Sequence, residues 1–271
     1  MMSQQLDRGL LYGDGFFTTV LVQSGQLVNW SAHWQRLQLS AQRLKFPPLS
    51  EPKLLCQIAA ELVDTDEDYA VIKILVSRGL GGLGYQPLPK PHPIIYVQKL
   101  AFPNGLKNDQ AWPFFSVKMT LSAIRCADQP LLAGLKHCNR LENVMAREAL
   151  IGSSFDEAVM LNPQGEVISA TQANLVLIKD NQLITPELSR SGVMGTCLSS
   201  LPRALKNTQW QWQIRPVSLD EVYQAEAIFC CNAVRGVMPV MQFQQQGYDS
   251  EKTRQIAQAW QKWQAQNLTQ P

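Results

Sequence analysis

A strand of buried type, Tyr69-Ala-Val-Ile-Lys-Ile-Leu-Val76, runs into Gly79-Leu-Gly81-Gly82-Leu-Gly84 and then meets prolines at 87, 89, 91 and 93. The glycines satisfy the spacing of a dinucleotide fingerprint, G-x-G-x-x-G. That fingerprint works only when a helix follows, so that its N-terminal amides face pyrophosphate. Prolines at every second position cannot continue a helix. The stretch therefore excludes a nucleotide-binding crossover, and reads either as a loop beside a ligand site or as a plain strand connection.

The chain around it alternates strands with amphipathic helices. Phe16 to Val22 and Gln26 to Trp30, joined by Gln23-Ser24-Gly25, predict a hairpin. Trp34, Leu37, Ala41 and Leu44 predict a helix with one apolar stripe, capped by Ser31 and stopped by Pro47-Pro48. A second helix is expected over Glu51 to Val63, and a strand over Ile94 to Val97. Turn formers then break the pattern, which divides the chain into a smaller α+β domain (1–104), a linker (105–113) and a larger domain (114–271).

In the larger part, a strand is expected over Ser116 to Arg125. A helix is expected over Asn139 to Leu150, with Asn139 and Glu142 as a capping box. Hairpins are expected at Glu157–Leu161/Val167–Ala170 and Asn174–Lys179/Gln182–Thr185. A helix near Gly195, a strand at Ala227–Cys231 and a helix from Ser250 complete a two-domain α/β (α+β) reading.

Composition closes off other classes. Hydrophobic residues make up 45% of the 271 and charged residues 17%, so the chain has a core to bury. A formal charge of +2 with no basic cluster excludes nucleic acid as the main partner. No apolar run is long enough to cross a bilayer, and a cytoplasmic protein is expected. Six cysteines without a CxxC and three scattered histidines, His33, His92 and His137, predict reduced packing thiols and no metal site.

The chemistry-bearing stretch is Leu131-Leu-Ala-Gly-Leu-Lys136-His-Cys-Asn-Arg-Leu-Glu142. A lysine among small and apolar residues is a candidate imine-forming amine, because desolvation favours its nucleophilic form. The alternative is an exposed turn lysine.

With Tyr12-Gly-Asp-Gly-Phe-Phe-Thr-Thr19, Ser31-Ala-His-Trp-Gln-Arg-Leu37, Ser77-Arg-Gly-Leu-Gly-Gly-Leu-Gly-Tyr85, Ala173-Asn-Leu175 and Cys231-Asn-Ala-Val-Arg-Gly-Val-Met-Pro-Val240, this stretch resembles fold-type IV pyridoxal 5'-phosphate enzymes. These form the class-IV aminotransferase family, of D-amino-acid-aminotransferase-like fold, and the likeness is nearest to its aminodeoxychorismate lyase members. The resemblance implies a homodimer with the cofactor between two domains. It implies Lys136 as the lysine that holds pyridoxal phosphate and Arg36 as the phosphate arginine. Asn174, Gly195, Thr196, Cys197, Asn232 and Ala233 are implied to line the cofactor.

Where the family places a glutamate opposite the pyridine nitrogen, this chain has Ser169. Glu166, three residues away, is expected on the opposite strand face. A hydroxyl makes the ring a weaker electron sink than a carboxylate does. That favours elimination over transamination, and the resemblance to the lyase members implies conversion of 4-amino-4-deoxychorismate to 4-aminobenzoate and pyruvate, with Arg125, Thr18 and Tyr85 as substrate-site candidates. The competing readings are a D-amino-acid or branched-chain aminotransferase, and a silent cofactor-binding dimer. Two departures from the family pattern stand out. Only six residues precede Asp7, so a small-domain strand is expected to be missing or the start shortened, and Pro202 is expected to kink or shorten its helix.

Overall fold

The computed structural model describes residues 6–63, 67–103 and 115–271, so the expected linker at 105–113 lies outside the described residues. In chain order the elements are α1 (Arg8–Tyr12), β1 (Gly15–Gln23), β2 (Gln26–Val28), α2 (Trp30–Arg43), α3 (Glu51–Leu62), β3 (Tyr69–Ser77) and β4 (Ile94–Ala101). There follow β5 (Val117–Leu121), α4 (Leu141–Glu148), β6 (Glu157–Leu161), β7 (Val167–Ala170), β8 (Asn174–Lys179), β9 (Gln182–Pro186) and α5 (Thr196–Ala204). The last are β10 (Gln211–Arg215), α6 (Leu219–Gln224), β11 (Ala227–Asn232), β12 (Gly236–Phe243), β13 (Gln246–Gly247), α7 (Glu251–Ala265) and β14 (Leu268–Thr269).

The chain divides into two compact units. The first joins the N-terminal part to Leu135–Asn139 and Asn267–Pro271, and the second holds the remainder. Lys136 was expected in the C-terminal domain, and this is corrected. Its segment packs with the first unit, because Phe17 N–H donates to the Lys136 carbonyl at 2.9 Å and Cys138 N–H to that of Gly15 at 2.9 Å.

The first unit is built on a sheet in the order β14-β2-β1-β3-β4. Ser24 and Gly25 both take positive φ, which gives the β1–β2 hairpin the twist of its strands. The α2 stripe falls as its spacing predicts, with Leu37 and Ala41 buried and Trp34 and Leu44 packed beside Phe16, Val20, Ile72 and Ile74. Ser31 is not the cap. The helix starts two residues earlier, from a cap at Asn29, whose φ is 55° and whose N–H is tied to the Asn267 carbonyl at 2.8 Å. The sheet edge beside β2 is taken by β14, a pairing of distant residues invisible to local pattern.

The Gly79–Gly84 stretch carries no helix and is instead wrapped around a buried cation. Arg8 Nη1 donates to the Gly84 carbonyl at 2.9 Å and Nη2 to that of Tyr85 at 2.9 Å, while Nε meets Asp14 at 2.9 Å. Asp14 also binds Arg78.

The second unit holds a sheet in the order β10-β9-β8-β11-β12-β5-β6-β7, with β13 on β12. It is buried on both faces. On β11, Ile228 and Cys230 join one core with Leu175 and Leu177, while Phe229 and Cys231 join another with Leu198, Leu201, Ile256 and Trp260. The capping box expected at Asn139 and Glu142 is absent: α4 is capped by Arg140 without a side-chain bond, and Glu142 accepts from Ala127 N–H at 3.0 Å. Ser218 and Glu221 form the box that α6 uses. The β5 strand stops at Leu121 rather than Arg125, because the Ser122 hydroxyl accepts from Ile124 N–H and turns the chain. Strand β12 was not anticipated, since Pro239 within it cannot donate to a ladder. Pro202 sits two residues from the end of α5, consistent with a helix of nine residues.

Arg8→Ala removes one of the two guanidinium partners of Asp14 and takes the side-chain donor from at least two carbonyls. It is expected to cost about 3 kcal/mol in urea unfolding and to make the 79–86 loop the first site of limited proteolysis.

Candidate active site

In the first unit the site grows from two glycines. A Cβ on Gly15 would stand 2.6 Å from the Val76 carbonyl and 3.3 Å from Cys138 Sγ, and one on Gly13 2.6 Å from Asn139 Oδ1. Only glycine lets the Leu135–Asn139 segment approach β1 so closely. That approach sets Lys136 Nζ 4.6 Å from the centre of the Phe17 ring, a cation–π distance.

Thr18, the next residue of β1, is fully buried. Its Oγ1 lies 2.7 Å from His33 Nδ1 and accepts from Arg36 Nη1 at 3.3 Å. His33 and Arg36 are i and i+3 on α2, hence neighbours on one face. Burial lowers the Arg36 guanidinium to about 10, so it stays cationic at neutral pH. His33, 1% exposed, is held well below the ordinary imidazole value of 6.5, first by burial and then by the charges of Arg36 and Lys136. The first unit therefore brings three expected residues, Lys136, Arg36 and Thr18, around a neutral imidazole. Tyr85 of the same unit is 86% exposed, its ring 5.3 Å from that of Tyr12.

In the second unit the site grows from Asn174, the first residue of β8, which pairs with Cys231 at the end of β11. Its Oδ1 accepts from Gly195 N–H at 3.0 Å and its Nδ2 donates to the Val193 carbonyl at 2.8 Å. Both ends of the carboxamide clamp the turn that launches α5. A Cβ on Gly195 would fall 2.1 Å from that Oδ1. No side chain caps α5, and its first turn carries no acidic residue, so its terminus suits an anion.

Cys197 is present there through its backbone only. Its thiol is fully buried and pushed up by burial and by the neighbouring Cys231. Asn232 likewise shapes backbone: Oδ1 accepts from Val234 N–H at 3.1 Å and Arg235 N–H at 2.8 Å, around Ala233. Thr196 is buried at the first position of α5, and Arg125 is exposed beyond β5.

Ser169 on β7 is 8% exposed, and no hydrogen bond from its hydroxyl is found among the described residues. The strand-face argument against Glu166 does not hold. A bulge pairs Met160 with Ser169 but Leu161 with Val167, and Val167 and Ala170, three apart, enter the same core. What occupies Glu166 is Asn162, whose Nδ2 donates to its carboxylate at 2.7 Å. Among the described residues no group of three or more His, Cys, Asp or Glu could hold a metal, and no helix is long and apolar enough to cross a membrane.

Comparison with known proteins bears on this arrangement. The family profile of amino-transferase class IV matches residues 15–243, from β1 to the end of β12. The chain belongs to that family. Aminodeoxychorismate lyase of Vibrio harveyi is 37% identical over 235 residues, covering 86% of this chain and 84% of the relative. The crystal structure of 4-amino-4-deoxychorismate lyase from Pseudomonas aeruginosa superposes with a TM-score of 0.82 at 32% identity, covering 96% of each chain. A D-alanine aminotransferase of Staphylococcus aureus is 21% identical over 95% of this chain and 90% of its own.

The cofactor of this class-IV protein is pyridoxal 5'-phosphate. Each unit carries residues that fit it: in the first, a lysine amine against an aromatic ring and a buried guanidinium; in the second, a helix terminus that tolerates no Cβ and a nearly buried hydroxyl for which no hydrogen bond is found among the described residues.

Gly195→Ala should displace the Asn174 clamp and weaken pyridoxal phosphate binding about tenfold, the equivalent of one lost hydrogen bond, measured by absorbance titration. His33 yields a pH prediction. Its folded-state value is depressed, so as pH falls through about 6.5 the unfolded chain takes up a proton that the fold refuses. Stability is full above that pH and declines below it. Between pH 7.5 and 5.5, His33→Asn should lose about 1 kcal/mol less than the parent in urea unfolding.

Proposed function

We propose that this protein is an aminodeoxychorismate lyase, converting 4-amino-4-deoxychorismate to 4-aminobenzoate and pyruvate. The observation that carries the reading is Ser169, a nearly buried hydroxyl with no hydrogen bond found among the described residues, at the position matched to the family's glutamate. The 37% identity to the Vibrio harveyi lyase supports it.

When bound, pyridoxal phosphate supplies an aldehyde carbon that takes the substrate amine and a ring that accepts the electron pair of a broken C–H bond. In the first unit Lys136 would hold it and Arg36 would pair with its phosphate; in the second the α5 terminus suits an anion of that kind. Lys136 Nζ would take the proton from the amine-bearing carbon and give a proton to the departing enolpyruvyl oxygen. The C–O bond breaks, the enol becomes pyruvate, and the carbocycle becomes aromatic. Ser169 would supply a hydroxyl to the ring nitrogen of the cofactor, and the weaker electron sink would suffice because aromatisation drives the elimination. A carboxylate would strengthen the sink and favour transamination. Arg125 and Tyr85 are proposed to meet substrate. Exposed Leu141, Val144, Met145 and Ile151 support a homodimer, and a cytoplasmic setting goes with this reading.

Incubation of the cofactor-loaded protein with aminodeoxychorismate should release fluorescent 4-aminobenzoate and an equal amount of pyruvate. Lys136→Ala should reduce this by at least about a thousandfold. Accumulation of pyridoxamine phosphate with D-alanine or a branched-chain amino acid, without aminobenzoate release, would establish the aminotransferase reading instead. A protein that binds the cofactor and does neither is a carrier.

A further inference from the structure

The lyase reading leaves His33 without a task, although it lies against the groups that reading uses. Its Nδ1 is 2.7 Å from Thr18 Oγ1, and the same oxygen takes a hydrogen bond from Arg36 Nη1 at 3.3 Å. The direction of both bonds follows from the donors available. A guanidinium only donates, so Thr18 Oγ1 accepts from Arg36. The hydroxyl has a single proton, and the neighbour at 2.7 Å that can accept it is His33 Nδ1. An imidazolium has no acceptor; burial between two cations keeps this ring neutral, with its remaining proton on Nε2. The result is a one-way chain of buried hydrogen bonds, Arg36 to Thr18 to His33.

We propose that His33 is a positioning residue for the cofactor phosphate: by accepting from the Thr18 hydroxyl it fixes that hydroxyl, which fixes the plane of the Arg36 guanidinium. The proposal rests on the reading of Arg36 as the phosphate arginine. Without the imidazole acceptor the Thr18 proton has no fixed direction and can turn toward Arg36, where it repels the donor it should receive. The guanidinium fork then loses the orientation that a phosphate needs. His33 touches neither cofactor nor substrate in this scheme.

The test compares pyridoxal phosphate with pyridoxal, which lacks the phosphate, as titrants of the full-length chain stripped of cofactor. Thr18→Val and His33→Leu should each weaken pyridoxal phosphate binding about tenfold and leave pyridoxal binding unchanged. His33→Asn, whose Oδ1 stands near the position of Nδ1 as an acceptor, should restore most of the loss. Thr18→Val combined with His33→Leu should be no worse than either alone, because both cut one chain. Equal losses for the two titrants, His33→Asn as weak as His33→Leu, or additive losses in the double variant would each overturn the proposal. If His33→Leu does not fold, Thr18→Val and His33→Asn carry the same comparison. Arg36→Gln separates the two levels. If it leaves pyridoxal phosphate binding intact, the phosphate reading of Arg36 falls, whereas a selective loss there with none in Thr18→Val or His33→Leu refutes only the role of His33.

Discussion

The first unit's chemistry depends on one backbone hydrogen bond, from Phe17 N–H to the Lys136 carbonyl, and on the two glycines that allow it to form. Lys136 lies more than a hundred residues from β1 in sequence. Its place is secured by strand-like pairing of its own backbone, which also commits the residues on either side. That pairing leaves the side chain as the part able to act, against Phe17 and beside α2. A lysine on an ordinary loop would retain several rotatable bonds with no preferred direction, and a nucleophile must be held in a near-attack geometry to be useful.

Charge is handled differently in the two units. In the first, Arg36 is desolvated and would be costly to leave alone, and a hydroxyl and a neutral imidazole stand beside it. In the second, the anion device is built of main chain: an uncapped helix terminus held in shape by the Asn174 carboxamide. Side-chain polarity there is spent on geometry: Asn174 and Asn232 both use their oxygens on backbone amides. The same division explains Glu157. It is a buried carboxylate engaged by the Thr171 amide and hydroxyl and by Arg147, and it braces the loop that leads into Asn174.

Most strands and helices were legible in the sequence because each is encoded by a contiguous pattern. Period-two and continuous apolar runs marked β3, β6 and β8, three-and-four spacing marked α2, and Ser24-Gly25 and Asn162 to Gly165 marked turns. Lys136, Arg36 and Ser169 were singled out as candidates through the order and spacing of the motifs that resemble the family. The failures share a cause. Ser31, Asn139 and Glu142 have the right chemistry for caps, but a cap forms only if no better partner comes from elsewhere, and Asn267 and Ala127 intervene through distant contacts. Alternation along β7 fails because a bulge set by pairing with β6 shifts the register.

The sequence by itself determined the family and the kinds of elements present, and it singled out Lys136 and Ser169 as the candidates for the cofactor lysine and for the serine in place of a glutamate. These are properties of residue type and near-neighbour spacing. Tertiary structure alone decided that the Lys136 segment belongs with the first unit, that β14 closes its sheet beside β2, and that Asn174 clamps a turn. It also decided that His33 lies 2.7 Å from a threonine hydroxyl that Arg36 shares. Hydrogen bonds between residues far apart in the chain are assigned by three-dimensional competition among donors and acceptors, and no local pattern records its outcome.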